Sequence, residues 1–303
     1  MKSIYLEKSI EIIFNALHGI VSEDEYSLVS ARKNEGEKFT QTIIKTFDAE
    51  KLSRITIEEY TVNSKAYGVV LNIYPKSNYG IPIFTFQLGG QIPDKVIFIV
   101  DIIPTLKTGE EHKTKEIFNH YSSLLNNLGS EQDWINEICS ANALICQYKP
   151  LDPEMILKAL SEYLNYWKEL YVQATAPVSK DVEIKEITES IVKFKKILQA
   201  NDAGLDIYLK KFGKEMLAAI EAAAFGGYPG LDILEPQKVI EASESVNKVV
   251  EVNSNFKWTK EAEDYLLDAP KFVRTKIRNN AEKKAKESGI SEITRDFIEN
   301  LRK

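Results

Sequence analysis

Between Arg54 and Leu106 the chain sets four short runs of β-branched and aromatic residues against polar breaks at Asn63-Ser64, at Lys76 to Gly80, and from Gly89-Gly90 through Pro93-Asp94. Runs of this kind predict four strands. Links this short join antiparallel neighbours, because a parallel return needs a dozen or more residues. The expected result is a meander. Side chains along each strand alternate between two faces. Ile55, Ile57, Val69, Leu71, Ile73, Phe84, Phe86 and Leu88 form an apolar set, opposite a mixed set of Thr56, Glu58, Tyr60, Val70, Asn72, Tyr74, Thr85 and Gln87. If the mixed sets align, Thr56, Glu58, Asn72, Thr85 and Gln87 make a polar patch in the middle of a sheet. An ordinary solvated face is the other reading, and alternation alone does not choose between them.

Either side of the meander the pattern is mostly helical. Ile4 to Ile20, broken by Glu7, Lys8 and Glu11, reads as an amphipathic helix, followed by a polar stretch from Ser22 to Glu37 and an edge strand from Phe39 to Phe47. After Pro104 and the polar segment Lys107 to Lys115, apolar residues recur at Ile117, Tyr121, Leu124 and Leu125, then at Trp134, Ile135 and Ile138. Asp152 is a natural N-cap with Pro153 at the first helical position. Behind it Ile156, Leu160, Tyr163, Trp167, Leu170 and Tyr171 repeat at three and four residues, the stripe of a long helix ending near Pro177. A charged helix from Ile184 to Leu198 precedes Asn201-Asp202, which reads as a helix cap. Glu235 to Asn255 reads as a linker, and a second compact pattern opens at Trp258.

Composition narrows the chemistry. With 303 residues, 44% hydrophobic and 28% charged, the chain is long enough for one main domain and a small one. Cys139 and Cys146 form no CxxC or Cys/His cluster, which argues against iron-sulfur, zinc and disulfide frameworks. His18, His112 and His120 stand apart, and read as structural or exposed residues. No secretory signal or long apolar segment is visible, so a cytoplasmic protein is expected. No GxGxxG or P-loop follows a strand, and Gly89-Gly90 and Gly226-Gly227 read as turns.

Two short motifs carry a resemblance. Gly80-Ile81-Pro82-Ile83-Phe84 and Val100-Asp101-Ile102-Ile103-Pro104, with the interval from Pro75 to Pro82, resemble the central sheet of the ferredoxin-dependent bilin reductases. Asn201-Asp202, followed by Tyr208 to Gly213 and by Phe225, is similar to the same family in the family's order, so the resemblance spans roughly residues 1 to 230. It implies an α/β fold: a three-layer α/β/α sandwich with a central antiparallel sheet over 1–234, a linker over 235–255, and a small all-helical domain over 256–303. It also implies an activity. A linear tetrapyrrole such as biliverdin would bind between the sheet and the C-terminal helices. Single electrons from reduced ferredoxin would reach it without a metal or flavin, each matched by a proton from an acid of the pocket.

The family's first-strand carboxylate falls at Glu58, its second-strand histidine at Val70, its third-strand aspartate at Gln87, and its Asn-Asp pair at Asn201 and Asp202. The resemblance therefore implies Asp202 as proton donor and Glu58 as a second acid, with Gln87, Asn201, Val70, Thr85 and Asn72 as substrate-binding candidates. Burial against an apolar ligand raises a carboxyl's pKa toward neutrality, where a proton donor works best. Neither Val70 nor Gln87 can donate a proton, so a two-electron reduction is expected instead of the four-electron, phycocyanobilin-forming reaction. Two other readings stay open. One is a tetrapyrrole carrier without redox chemistry, the other a reductase of a different tetrapyrrole such as a chlorophyll catabolite.

The third region carries its own resemblance. Trp258-Thr259-Lys260-Glu261-Ala262, Ala269-Pro270-Lys271-Phe272-Val273-Arg274, Ile277-Arg278, Ala285, Gly289 and Ile293-Thr294 resemble the small C-terminal module of the catalytic subunit of light-independent protochlorophyllide reductase. From Phe256 to Lys303 twelve Lys or Arg face nine Asp or Glu, a net +3 against −6 for the whole chain, so the rest carries −9. A face of Lys271, Arg274, Arg278, Lys283, Lys284 and Lys286 is expected to meet acidic ferredoxin; a solvated helix face is the alternative. Interleaved acids and the lack of a reading motif argue against nucleic acid.

Overall fold

The computed structural model describes residues 4–22, 25–92, 94–106, 111–125, 133–226, 248–251, 256–267 and 271–301. They belong to two units, Met1–Glu251 and Val252–Lys303.

The first unit begins with helix α1 (Ile4–Leu17) and continues through strands β1 (Ser27–Glu35), β2 (Lys38–Ala49), β3 (Leu52–Val62), β4 (Ala66–Pro75), β5 (Ile83–Gln91) and β6 (Lys95–Ile103). Helices α2 (Glu111–Leu124) and α3 (Asp133–Ile138) lead to β7 (Leu144–Lys149) and α4 (Pro153–Gln173). Helices α5 (Asp181–Asn201), α6 (Ala203–Phe212) and α7 (Lys214–Phe225) follow, and β8 (Lys248–Glu251) closes the unit. One sheet runs β7-β6-β5-β4-β3-β2-β1-β8, and every neighbouring pair is antiparallel. The four-strand meander is β3 to β6. Asn63 and Ser64, both at positive φ, form the tight reversal between its first two strands.

The sheet is wider than the hydrophobic pattern suggests. β2 is an interior strand, because β1 pairs along its whole length and β8 pairs with β1 in turn. β1 lies inside the stretch that reads as a polar connection: of its nine residues only Val29 and Ala31 are buried, too few to show an alternation. β8 falls within the expected linker, most of which lies outside the described residues. β7 is six residues long, and Leu144 and Cys146 bury its one apolar face. Gly89 and Gly90 are strand residues of β5 instead of a turn. Gly226 is the C-cap of α7, and Gly227 lies outside the described residues.

Helices cover both faces. The apolar face, with Ile57, Leu71, Phe84, Phe86 and Phe98, packs against Leu6, Ile13 and Leu17 of α1, Tyr121 of α2 and the stripe of α4. Burying each such side chain contributes roughly 1.5–3 kcal/mol before entropy is counted. Asp152 caps α4 by accepting from the Glu154 amide at 2.9 Å, with Pro153 in the first turn. Trp167 and Thr105 pin the Gly80-to-Phe84 turn: Trp167 Nε1 donates to Pro82 O at 2.9 Å, and Thr105 Oγ1 donates to Ile81 O at 3.1 Å. The mixed face is covered by α3, α5, α6 and α7. One apolar cluster joins Val29, Ala31 and Ile44 to Tyr208, Phe212, Met216 and Ile220, and another joins Tyr74 and Ile83 to Ile187, Ile191 and Phe194.

The second unit contains β9 (Lys257–Trp258), α8 (Lys260–Leu267), α9 (Lys271–Glu287), β10 (Glu292–Ile293) and α10 (Arg295–Asn300). It is helical except for β9 and β10, which pair in parallel, so the all-helical expectation needs that correction. The strand pair was invisible in the pattern because two residues show no period. Ala262, Ala281, Ala285, Ile293 and Ile298 form the core, and Thr259 and Thr294 cap the two shorter helices through their hydroxyls.

Replacing Trp167 with Phe removes the indole donor and leaves the Pro82 carbonyl buried without it. The expected cost is about 1–3 kcal/mol, read as a lower urea midpoint with an unchanged slope; an unchanged midpoint would show that this turn does not depend on the indole.

Candidate active site

In-register pairing aligns the mixed sets of β3, β4, β5 and β6. Thr56, Asn72, Thr85 and Asp101 pair across one row, Glu58, Val70, Gln87 and Ile99 across the next, and Tyr60, Gly68, Gly89 and Ile97 across the third. Strands lie about 4.8 Å apart, so Glu58 and Gln87 are separated by roughly 10 Å with Val70 between them. Burial distinguishes the rows. The first is fully covered, whereas Glu58, Val70, Gln87 and Tyr60 are half-buried. The mixed face is therefore closed at one end and accessible at the other.

Two buried cations close the covered end. Arg54 Nη1 donates to Ala222 O at 2.6 Å and to Ala223 O at 3.1 Å, while Lys195 Nζ donates to Phe225 O at 3.0 Å and to Gly226 O at 2.9 Å. Both satisfy carbonyls at the C-terminus of α7, where positive charge also opposes the helix dipole. Thr85 Oγ1 donates to Asn72 Oδ1 at 2.8 Å, so these two substrate-binding candidates are paired with each other in the covered row. Asp101 is likewise covered. It accepts from the Ser140 amide and hydroxyl, each at 2.6 Å, and burial raises its carboxyl to about 6.

At the accessible end the central group is Glu58. Its Oε1 accepts from Tyr208 OH at 2.6 Å and from Thr42 Oγ1 at 2.7 Å. Burial pushes its carboxyl up to about 7, the hydrogen bonds from Tyr208 and Thr42 oppose the rise, and the charge of Asp202 adds to it. Both donors meet one oxygen, so Oε2 is left to carry the proton. This is a carboxyl poised to exchange a proton near neutrality.

Asp202 is at the junction of α5 and α6. It caps α6 by accepting from the Gly204 amide at 2.7 Å, so the cap reading of this residue holds. Burial also raises its carboxyl above the usual aspartate range, and its charge is felt by Glu58, Tyr60 and Tyr208. Cap and acid therefore coexist in one side chain. Asn201 is different: it is exposed, and its Nδ2 donates back to Ile197 O at 2.8 Å. The structure gives it a C-terminal role on α5 and does not bring it to Glu58.

Thr42, Tyr60, Tyr148 and Tyr208 were missed as site residues. Tyr208 and Thr42 come from elements far from Glu58 in sequence, with no local signal linking them. Tyr60 does share the mixed set, and the glycines opposite it on the neighbouring strands were the clue. Tyr148 is 62% exposed and has φ +57, an unusual conformation for a bulky residue that costs of order 1–3 kcal/mol. Its hydroxyl is within electrostatic reach of Tyr60. Elsewhere, a cavity of about 200 Å³ lined by Pro82, Thr105, Thr114, Ser140, Asn142 and Leu170 contains none of the predicted site residues. It is smaller than the 300–1,000 Å³ typical of sites for sizeable organic ligands. All three histidines are exposed, and no cluster of three or more metal-ligating side chains occurs among the described residues.

The family model for ferredoxin-dependent bilin reductases matches residues 17–219. The chain belongs to the ferredoxin-dependent bilin reductase family. Its fold matches that of tomato phytochromobilin synthase in complex with biliverdin, with a TM-score of 0.60 at 17% identity over 73% of this chain and 84% of that one. A second model, for the protochlorophyllide reductase 57 kD subunit, matches residues 258–302. A light-independent protochlorophyllide reductase subunit from Gloeothece citriformis is 44% identical over 58 residues, 19% of this chain and 11% of that protein. Its Synechococcus counterpart is 41% identical over the same length. The chain thus spans about a tenth of these relatives.

In the second unit Arg278 stacks on Trp258 at 4.9 Å and pairs with Glu282 at 3.4 Å, and Lys284 pairs with Glu287 at 2.7 Å. Lys283 and Lys286 are exposed, and the side chains of Lys271 and Arg274 lie outside the described residues. Among the described residues no helix is long and apolar enough to cross a membrane.

The raised pKa of Glu58 gives a signed pH dependence. The folded state holds a proton that the unfolded chain releases above the ordinary value of 4.5, so the group's stabilising contribution is complete below 4.5 and declines as pH rises to about 7. Glu58→Gln is expected to flatten that decline in urea midpoints and to remove a carboxylic C=O infrared band titrating near neutrality. A band titrating near the ordinary value would mean that the carboxyl is solvated.

Proposed function

We propose that this chain reduces a bilin by two electrons, taken singly from reduced ferredoxin, with the protein itself supplying protons and no metal or flavin. Each electron adds to the conjugated tetrapyrrole, and the resulting radical takes a proton at carbon. Two electrons and two protons convert one double bond into a CH–CH unit. The observation that carries this reading is the Glu58 carboxyl, held near neutrality on the accessible part of the sheet in a chain of this family. Glu58 is the first proton donor and is recharged from solvent. Asp202 supplies the second proton or biases the first through its charge on Glu58. Gln87 accepts hydrogen bonds from pyrrole N–H groups, and Val70 provides apolar contact to the ring system. Thr85 and Asn72 support this row from beneath, and Asn201 acts only through the end of α5. A ferredoxin-dependent reaction of this kind fits a cytoplasmic protein.

Anaerobic titration with biliverdin, followed by reduced ferredoxin, tests the reading. The bound spectrum is expected to bleach and re-form as that of a new bilin. Binding without spectral change on reduction would make the chain a carrier, the reading favoured by Val70 and Gln87 where the family has proton-handling side chains. Glu58→Gln is expected to lower turnover about 10²–10⁴-fold with biliverdin affinity retained. Asp202→Asn keeps the cap, because asparagine caps as well as aspartate; full turnover in this variant would leave Asp202 a cap alone.

We place the ferredoxin contact on the basic face of α9, since charge of this sign steers encounter with an acidic protein. Lys283→Glu with Lys286→Glu should raise the KM for ferredoxin several-fold at low salt, with the difference shrinking at high salt. An unchanged KM would remove ferredoxin from this face.

A further inference from the structure

The third row of the mixed face has an unusual composition. Tyr60 on β3 is paired with Gly68 on β4, and Gly68 with Gly89 on β5. A side chain at either glycine would run into Tyr60: a Cβ at Gly68 would meet ring atoms Cζ and Cε1, and a Cβ at Gly89 would meet the hydroxyl. The Tyr60 ring therefore lies flat over two bare strands instead of standing off the sheet as strand side chains ordinarily do. This costs two glycines in strand interiors, where they destabilise by roughly 0.5–1 kcal/mol each relative to alanine. Its hydroxyl reaches β5 and accepts a hydrogen bond from the Gln87 side chain. Only the Nε2 end of that amide can donate, so Oε1 is left as the acceptor.

We propose that Tyr60 is a positioning residue of the bilin site, fixing the Gln87 amide so that its carbonyl oxygen is presented to the pyrrole N–H groups of the substrate. This rests on the bilin reading above. It deepens it, because an uncharged acceptor at this position selects a neutral tetrapyrrole over its protonated cation. A carboxylate there would stabilise the cation; an amide oriented by Tyr60 does not. The two glycines are part of the same device, since without them the ring cannot reach Gln87.

The test uses the full-length chain and biliverdin, with affinity and absorbance followed across pH. Tyr60→Phe keeps the ring and removes the hydroxyl, and is expected to weaken binding about tenfold. Gln87→Ala is expected to do the same, and the double variant to be no weaker than either single one, because the two act as a unit. Gly68→Ala, which displaces the ring but leaves both polar groups, should reproduce the loss. Gln87→Glu should shift the protonation midpoint of bound biliverdin upward, with the absorbance of the cation appearing at higher pH. Without ligand, the Gln87 side-chain amide protons should exchange with solvent more slowly in the wild-type chain than in Tyr60→Phe. Additive losses, or a Tyr60→Phe protein with wild-type affinity and spectrum, would overturn the proposal while leaving the reductase reading intact. No binding of biliverdin by the wild-type chain would overturn both.

Discussion

A slip of one residue between β3 and β4 would turn Glu58 into the apolar layer beneath α1 and α4, and Ile57 out toward α6. The active face exists because the meander pairs in one register, with Glu58, Val70 and Gln87 opposite one another. That register is held by what lies on the other side. Ile55, Ile57, Leu71, Ile73, Phe84 and Phe86 all lie in a core that no other register can bury. The apolar face therefore does more than stabilise the fold. It determines which polar groups meet on the opposite side.

The layer above the polar face sets how each group behaves. Where α5 and α7 cover the sheet, Asn72, Thr85 and Asp101 are buried and their hydrogen bonds are satisfied within the protein. Arg54 and Lys195 hold the end of α7 there by its own carbonyls. Further along, Tyr208 of α6 contributes one donor to a single oxygen of Glu58, and Thr42 the other. Desolvation outweighs both bonds, so the carboxyl keeps its proton near neutrality. Acid behaviour at this position is a balance between the sheet that presents the group and the helix that covers it.

The second unit is a separate construction, with its own alanine-rich core and capped helices. It matches the C-terminal part of proteins that also bear a tetrapyrrole-reductase name, over a tenth of their length. Several of its basic side chains are engaged internally, Arg278 by Trp258 and Glu282, and Lys284 by Glu287. The net positive charge of the segment is thus presented mainly through groups such as Lys283 and Lys286.

Strand positions, the alternation that separates the two faces, the capped helix α4 and the candidate acids Glu58 and Asp202 were all legible in the sequence. Each depends on neighbours in the chain: a period of two, a tight turn, a cap followed by proline. The remainder depended on pairing between distant segments. β1 was hidden because its small apolar content becomes meaningful only beside β2, and β8 because it is a strand only against β1. Tyr208 and Thr42 meet Glu58 across 150 and 16 residues of chain, and no local pattern encodes either distance. Gly89 looked like a turn because one chain segment cannot reveal the Tyr60 ring lying over it from two strands away. Sequence by itself determined which groups were available on the polar face. Tertiary structure decided which were buried, which were paired and which kept a proton, because desolvation and hydrogen bonding belong to the packed layers and not to any one strand.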